Sequence, residues 1–172
     1  MQDFCKEVCV DNVKDAMRAV DLGANRIEYC SKLSEEGLTP EIEDVKYLLK
    51  NIKIPLRIMI RPHSKSFKYS EQDISIMLRD ISNFKKIDVD GIVIGCLKED
   101  DEIDIKKTNL LIDKARPLKV IFHKAIDMTS DPLKSLKNLI KNSNIDGVLT
   151  SGGSKKAVDG IKAVSYTHLR AH

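Results

Sequence analysis

Four short β-rich runs end in residues that can do chemistry: Glu7-Val-Cys9, Glu28-Tyr-Cys30, Met59-Ile-Arg61 and Ile121-Phe-His123. Residues two apart share a strand face. One face therefore carries Glu7, Cys9, Glu28, Cys30, Arg61 and His123, while Val8, Ile27, Ile60 and Phe122 suit packing against helices. Two carboxylates held close raise one pKa and suit general acid or base work. His123 can shuttle a proton, and Arg61 can clamp an anion bidentately. The competing reading is a structural network of paired charges, because unpaired charge inside a fold is costly. Cys5, Cys9, Cys30 and Cys96 form no CxxC pair. They read either as small buried hydrophobes or, near a strand end, as soft-metal ligands. Thr150-Ser151-Gly152-Gly153 joins a strand to a helical stretch. Its backbone amides could cradle an anion, although a plain tight turn explains the glycines as well.

The elements that must position these groups alternate. Strands are expected over Lys6–Val10, Arg26–Cys30, Leu56–Ile60, Gly91–Gly95, Leu118–Phe122 and Gly147–Thr150. Apolar residues at helical spacing fill the segments between them, as with Val13, Ala16, Met17 and Val20. Asp11 is the expected N-cap of the first helix, and Pro40 marks the start of the second. Ser70 with Asp73 makes a capping box, Asp131-Pro132 opens a helix, and Ser154 begins the last helical stretch. Strict alternation implies a parallel sheet covered by helices. Two echoes, Pro55-Leu-Arg-Ile-Met-Ile-Arg with Pro117-Leu-Lys-Val-Ile-Phe-His, and Ile87-Asp-Val-Asp-Gly with Ile145-Asp-Gly, suggest a repeated βα unit. The expected fold is α/β, a TIM (β/α)8-type barrel with about six of the eight units present. In such a barrel, function gathers at the C-terminal strand ends. The loop Ser31–Pro40 is long enough to be a lid, and His63 could line the same rim.

Composition sets bounds. The chain has 172 residues and a net charge of +3, with 42% hydrophobic and 32% charged residues. That excludes disordered, collagen-like and coiled-coil classes. No apolar run approaches the roughly 18 residues of a membrane span, and no signal peptide is visible, so a cytosolic location is expected. Charges of both signs are interspersed, and aromatics are 5% with no Trp. A nucleic-acid partner is not expected.

The motifs together resemble the CutC family of copper homeostasis proteins. They are Glu7-Val-Cys-Val-Asp11, Gly23-Ala-Asn-Arg-Ile-Glu28 with Cys30, Gly37-Leu-Thr-Pro40, Met59-Ile-Arg-Pro62, Phe67 with Tyr69-Ser70, Phe122-His123 with Ala125 and Asp127-Met128, and Leu149-Thr-Ser-Gly-Gly153. The resemblance implies a TIM-like barrel, cytosolic copper tolerance, Cu(I) binding and homo-oligomers. On this reading Cys9 and Cys30, on adjacent strands, are the Cu(I) ligands. The alternative is a TIM-barrel enzyme acting on a small anionic or carbonyl compound. Glu7, Glu28, Arg61, His123 and Asp127 would then be catalytic, with Thr150, Ser151 and Gly152 as an anion loop. The family's His-Arg-Ala is His123-Lys124-Ala125 here, which keeps the charge and loses a fork. The barrel pattern stops near Val164, and Ser165–His172 does not resume it. The expected organisation is therefore a partial barrel over 1–164 followed by a non-native tail over 165–172.

Overall fold

A computed structural model describes residues 5–161, so the tail lies outside the described residues. Strands β1 (Glu7–Val10), β2 (Arg26–Tyr29), β3 (Leu56–Met59), β4 (Gly91–Ile94), β5 (Lys119–Phe122) and β6 (Gly147–Val148) form one sheet in sequence order. All neighbours pair in parallel. Helices α1 (Val13–Asp21), α2 (Ile42–Asn51), α3 (Glu71–Lys85), α4 (Ile105–Ala115) and α5 (Pro132–Asn142) connect the strands. The result is the expected TIM-like α/β architecture, an open curled barrel with β1 and β6 at its edges. No described helix is long and apolar enough to cross a membrane.

The alternation in the strands separates an outer core from a small inner cluster. Ile27, Leu56, Ile58, Ile92, Ile94 and Val120 point outward and pack with Ala16, Val45, Leu48, Met77, Ile81 and Leu111 from the helices. Full burial of each large aliphatic side chain stabilises by about 1.5–3 kcal/mol. The inward-facing residues Cys30, Met59, Val93 and Ile121 form their own small cluster. Register explains this layer, because Met59 pairs with Val93, Val93 with Ile121, and Ile121 with Gly147.

One layer below, toward the strand N-termini, the interior is ionic. Arg57 reaches Glu7 at 3.1 Å and Asp90 at 3.4 Å. Glu7 also pairs with Arg26, and Asp90 with Lys119 at 3.4 Å. Glu7 is the first residue of β1, so the parity reading holds while its level in the barrel does not. It belongs to the paired network at the base.

The helix starts differ in detail from the sequence reading. Asn12, in extended conformation, caps α1 by accepting from Asp15 N–H at 2.9 Å. Asp11 instead accepts from Leu33 N–H at 2.8 Å and ties down the following loop. Glu41, not Pro40, precedes the first turn of α2. The capping box of Ser70 and Asp73 is present on α3. β6 is two residues long, and past Ser154 the described residues make a short 3₁₀ turn, Ala157–Gly160. The loop after β2 closes on itself through a bridge between Ser31 and Leu38.

Candidate functional site

A cavity of about 560 Å³ opens at the C-terminal ends of the strands. Cys9, Glu28, Arg61, His123, Asp127 and Ser151 line it. Cys30 lies just behind that wall in the buried inner cluster. Glu7, Thr150 and Gly152 are not among the lining residues. His63 sits outside, half-buried between Asp73 at 3.5 Å and the Tyr69 ring.

On the β1–β2 side, Glu28 is only 3% exposed and accepts a hydrogen bond from Cys9 Sγ at 3.3 Å. Burial pushes its carboxyl above the usual range; the Cys9 bond opposes this, and the Glu7 charge adds to it. The two carboxylates thus interact as expected, although burial dominates. Cys30 follows β2, the strand that pairs with Cys9's β1. The neighbouring Cys30 thiol, desolvation and the Glu28 charge push Cys9 above the normal thiol range, and the Cys9 thiol pulls Cys30 down. Cys30 also donates to Val10 O at 3.6 Å. Cys5 is exposed, and Cys96 is deep in the outer core, where burial raises it to about 12.

Past the end of β3, Arg61 is 3% exposed and makes no salt bridge among the described residues. Its Nη1 donates to Glu35 O at 2.9 Å and Gly37 O at 3.2 Å, and Nη2 donates to Ser64 O at 3.4 Å. Its Nε has no partner among the described residues. The 31–40 loop is thus held by the arginine it surrounds. His123 is equally buried, and its Nδ1 accepts from Ala125 N–H at 3.1 Å. This leaves the ring proton on Nε2, which has no partner. Burial, with the Arg61 charge second, pushes His123 down to about 3, so the ring is neutral. A shuttle working near neutral pH needs a higher value; a fixed N–H donor does not. Gly95 makes room for the ring, because a Cβ there would sit 2.4 Å from His123 Cε1. Each orphaned buried donor costs about 1–3 kcal/mol.

Phe67 separates these donors, with the Arg61 guanidinium 4.5 Å from its ring centre and the His123 ring 4.8 Å away. Sequence reading gave Phe67 no role. Its loop follows Arg61 without a strand pattern, so only the tertiary path brings it back.

The Gly-rich loop after β6 is filled by the chain itself. Asp127 accepts from Thr150 Oγ1 at 2.5 Å, Ser151 N at 2.8 Å, Ser151 Oγ at 3.0 Å and Gly153 N at 2.8 Å. Gly152 N donates to Thr150 Oγ1 at 2.9 Å. In the loop where Thr150, Ser151 and Gly152 are expected to hold an anion, the Ser151 and Gly153 amides hold the Asp127 carboxylate, and the Gly152 amide turns to Thr150.

Among the described residues no three His, Cys, Asp or Glu side chains converge as a ligand set. What remains for a metal is Cys9 and Cys30, with Met59 packed with Cys30 in the inner cluster.

Comparison with known proteins places this arrangement. The CutC family model matches residues 4–168. The human copper homeostasis protein cutC homolog is 41% identical over 161 residues, which cover 94% of this chain and 59% of that protein. A CutC family protein of Glaesserella parasuis is 38% identical, covering 96% of this chain and 68% of that one. The chain thus spans well under two thirds of the human relative's length. The crystal structure of a protein assigned as copper homeostasis protein CutC, from Streptococcus agalactiae, superposes with a TM-score of 0.86 at 28% identity. It matches over 95% of this chain and 81% of that one. From its sequence and its fold alike, the chain belongs to the CutC family.

Proposed function

We propose that the protein binds Cu(I) as cargo through Cys9 and Cys30 and serves copper homeostasis in the cytosol, where thiols stay reduced. The observation that carries this reading is the placing of two cysteines at the ends of the paired strands β1 and β2, Cys9 in the cavity wall and Cys30 buried behind it. Cu(I) prefers soft sulfur, and two thiolates suffice for a linear site. Met59, packed with Cys30 in the inner cluster, offers a third sulfur. Loading must displace the thiol protons, and Glu28, hydrogen-bonded to Cys9 at 3.3 Å, is placed to take one.

The test is an anaerobic Cu(I) titration against a chromogenic competitor with wild type, Cys9→Ser, Cys30→Ser and Cys5→Ser. Loss of competition in the first two variants and its retention in the third supports the site. Unchanged affinity in Cys30→Ser removes it. A second reading, an enzyme on a small anionic or carbonyl compound, is favoured by one observation: Arg61 and His123, which line the same cavity, each keep a buried N–H without a partner among the described residues.

A further inference from the structure

We propose that the part of the cavity wall formed by Arg61, Phe67 and His123 is a binding site for a small carboxylate that carries a second acceptor oxygen, such as a 2-oxo or 2-hydroxy acid with an apolar side chain. The inference supplies the ligand class for the enzyme reading and rests on that reading only for turnover, which the test does not measure.

The donors define the ligand. A guanidinium has five N–H groups. Two on Nη1 go to Glu35 O and Gly37 O, and one on Nη2 goes to Ser64 O. What remains is the Nε–H, which has no partner among the described residues, and one Nη2–H; such a pair can meet the two oxygens of a carboxylate. The Arg61 charge is met by backbone carbonyls and the Phe67 ring, with the Tyr69 hydroxyl nearby, and by no salt bridge among the described residues, so an anion there gains a charged partner already desolvated. His123 adds one neutral N–H at Nε2, fixed by the Ala125 contact. A neutral donor suits a carbonyl or hydroxyl oxygen better than a second full charge. Both residues flank the single Phe67 ring, within 4.8 Å of its centre. One small molecule can therefore meet both once that ring turns aside.

The rest of the cavity agrees. Leu33, Met128 and Leu149 offer an apolar surface, and Lys124 and Lys155 stand at the mouth. Phosphate is disfavoured as the anion, because the amides that would cradle it, Ser151 and Gly153, are taken by Asp127.

Isothermal titration of the metal-free chain with 4-methyl-2-oxopentanoate, its neutral amide and inorganic phosphate tests the site. The expected result is saturable binding of the oxo acid, with the amide and phosphate weaker by about tenfold or more, the scale of one lost charged hydrogen bond. Arg61→Lys, which keeps the charge and loses that pair of N–H groups, and His123→Ala should each weaken it by about tenfold. Phe67→Ala, which uncovers both donors, should bind at least as tightly as wild type. Because Arg61 also holds its loop, its variant is first checked by circular dichroism; if it does not fold, His123→Ala and Phe67→Ala decide. Equal binding of acid and amide, unchanged affinity in folded Arg61→Lys or in His123→Ala, weakened binding in Phe67→Ala, or no saturation by any probe would overturn the proposal. Copper is absent throughout, so this outcome and the Cu(I) titration fail or succeed separately.

Discussion

Replacing Asp127 distinguishes a carboxylate that does chemistry from one that holds a loop. Its two oxygens accept from Thr150 Oγ1, Ser151 N, Ser151 Oγ and Gly153 N. A hydrogen bond to a charged group contributes about 1.5–3 kcal/mol. The four do not add. Ser151 Oγ has one proton, which it can give instead to Ser154 O at 2.6 Å, and Gly153 is exposed, so water replaces part of what it loses. The Ser151 amide is different, because Ser151 is 4% exposed. We expect Asp127→Ala to cost about 2–4 kcal/mol. At about 2–4 °C per kcal/mol for a chain of this size, the melting temperature falls by about 4–16 °C. Asp127→Asn should fall in the same direction by less, since it keeps one acceptor and turns an NH₂ toward donors. Asp127→Ala also frees the nest. Phosphate should then raise its melting temperature more than chloride at equal ionic strength, by about 1.4 kcal/mol at ten times its dissociation constant. Differential scanning fluorimetry reads both effects. If Asp127→Ala melts with wild type, and phosphate acts no differently from chloride, the loop is not held by this carboxylate.

The neutral, buried His123 predicts a pH dependence. An unfolded imidazole titrates near about 6.5, and the folded ring near about 3. Between those values the unfolded chain binds more protons. The ring's contribution is therefore complete above the unfolded value and is lost as pH falls, with a slope of up to about 1.4 kcal/mol per unit. In urea melts, the stability difference between wild type and His123→Gln should shrink from pH 7 to pH 4; a constant difference contradicts a buried neutral ring. At the base of the barrel, Arg57→Met leaves Glu7 and Asp90 short of a partner. Breaking a buried pair costs about 3–5 kcal/mol, and we expect about 2–4 here because both carboxylates keep some 20% exposure. Adding Glu7→Gln should recover part of the loss, and an unchanged urea midpoint in Arg57→Met would contradict the network.

The two-residue period settled much of this before any coordinates. Glu28, Cys30, Met59, Arg61 and His123 face inward because Ile27, Ile58, Ile60 and Phe122 must face the helices, and a strand side chain has only two directions. Strict alternation of strands and helices gave the parallel order for the same reason. Depth along the barrel was not legible. Glu7 and Cys9 share a face, but register with Arg26 and Arg57 puts Glu7 in the base network.

Local sequence determined which groups are inside; only the tertiary structure decided what each one meets there. Asp127 and Ser151 are 24 residues apart, joined through α5, and no local pattern says that one plugs the other's nest. Arg61 and His123 lie on different strands, and their shared want of partners follows from where the 31–40 loop and Phe67 come to rest. Composition and periodicity act through the nearest neighbours along the chain. Pairing of charge, burial and the resulting proton affinities depend on distances of a few ångströms between distant segments, which only the packing of the curled sheet and its loops sets.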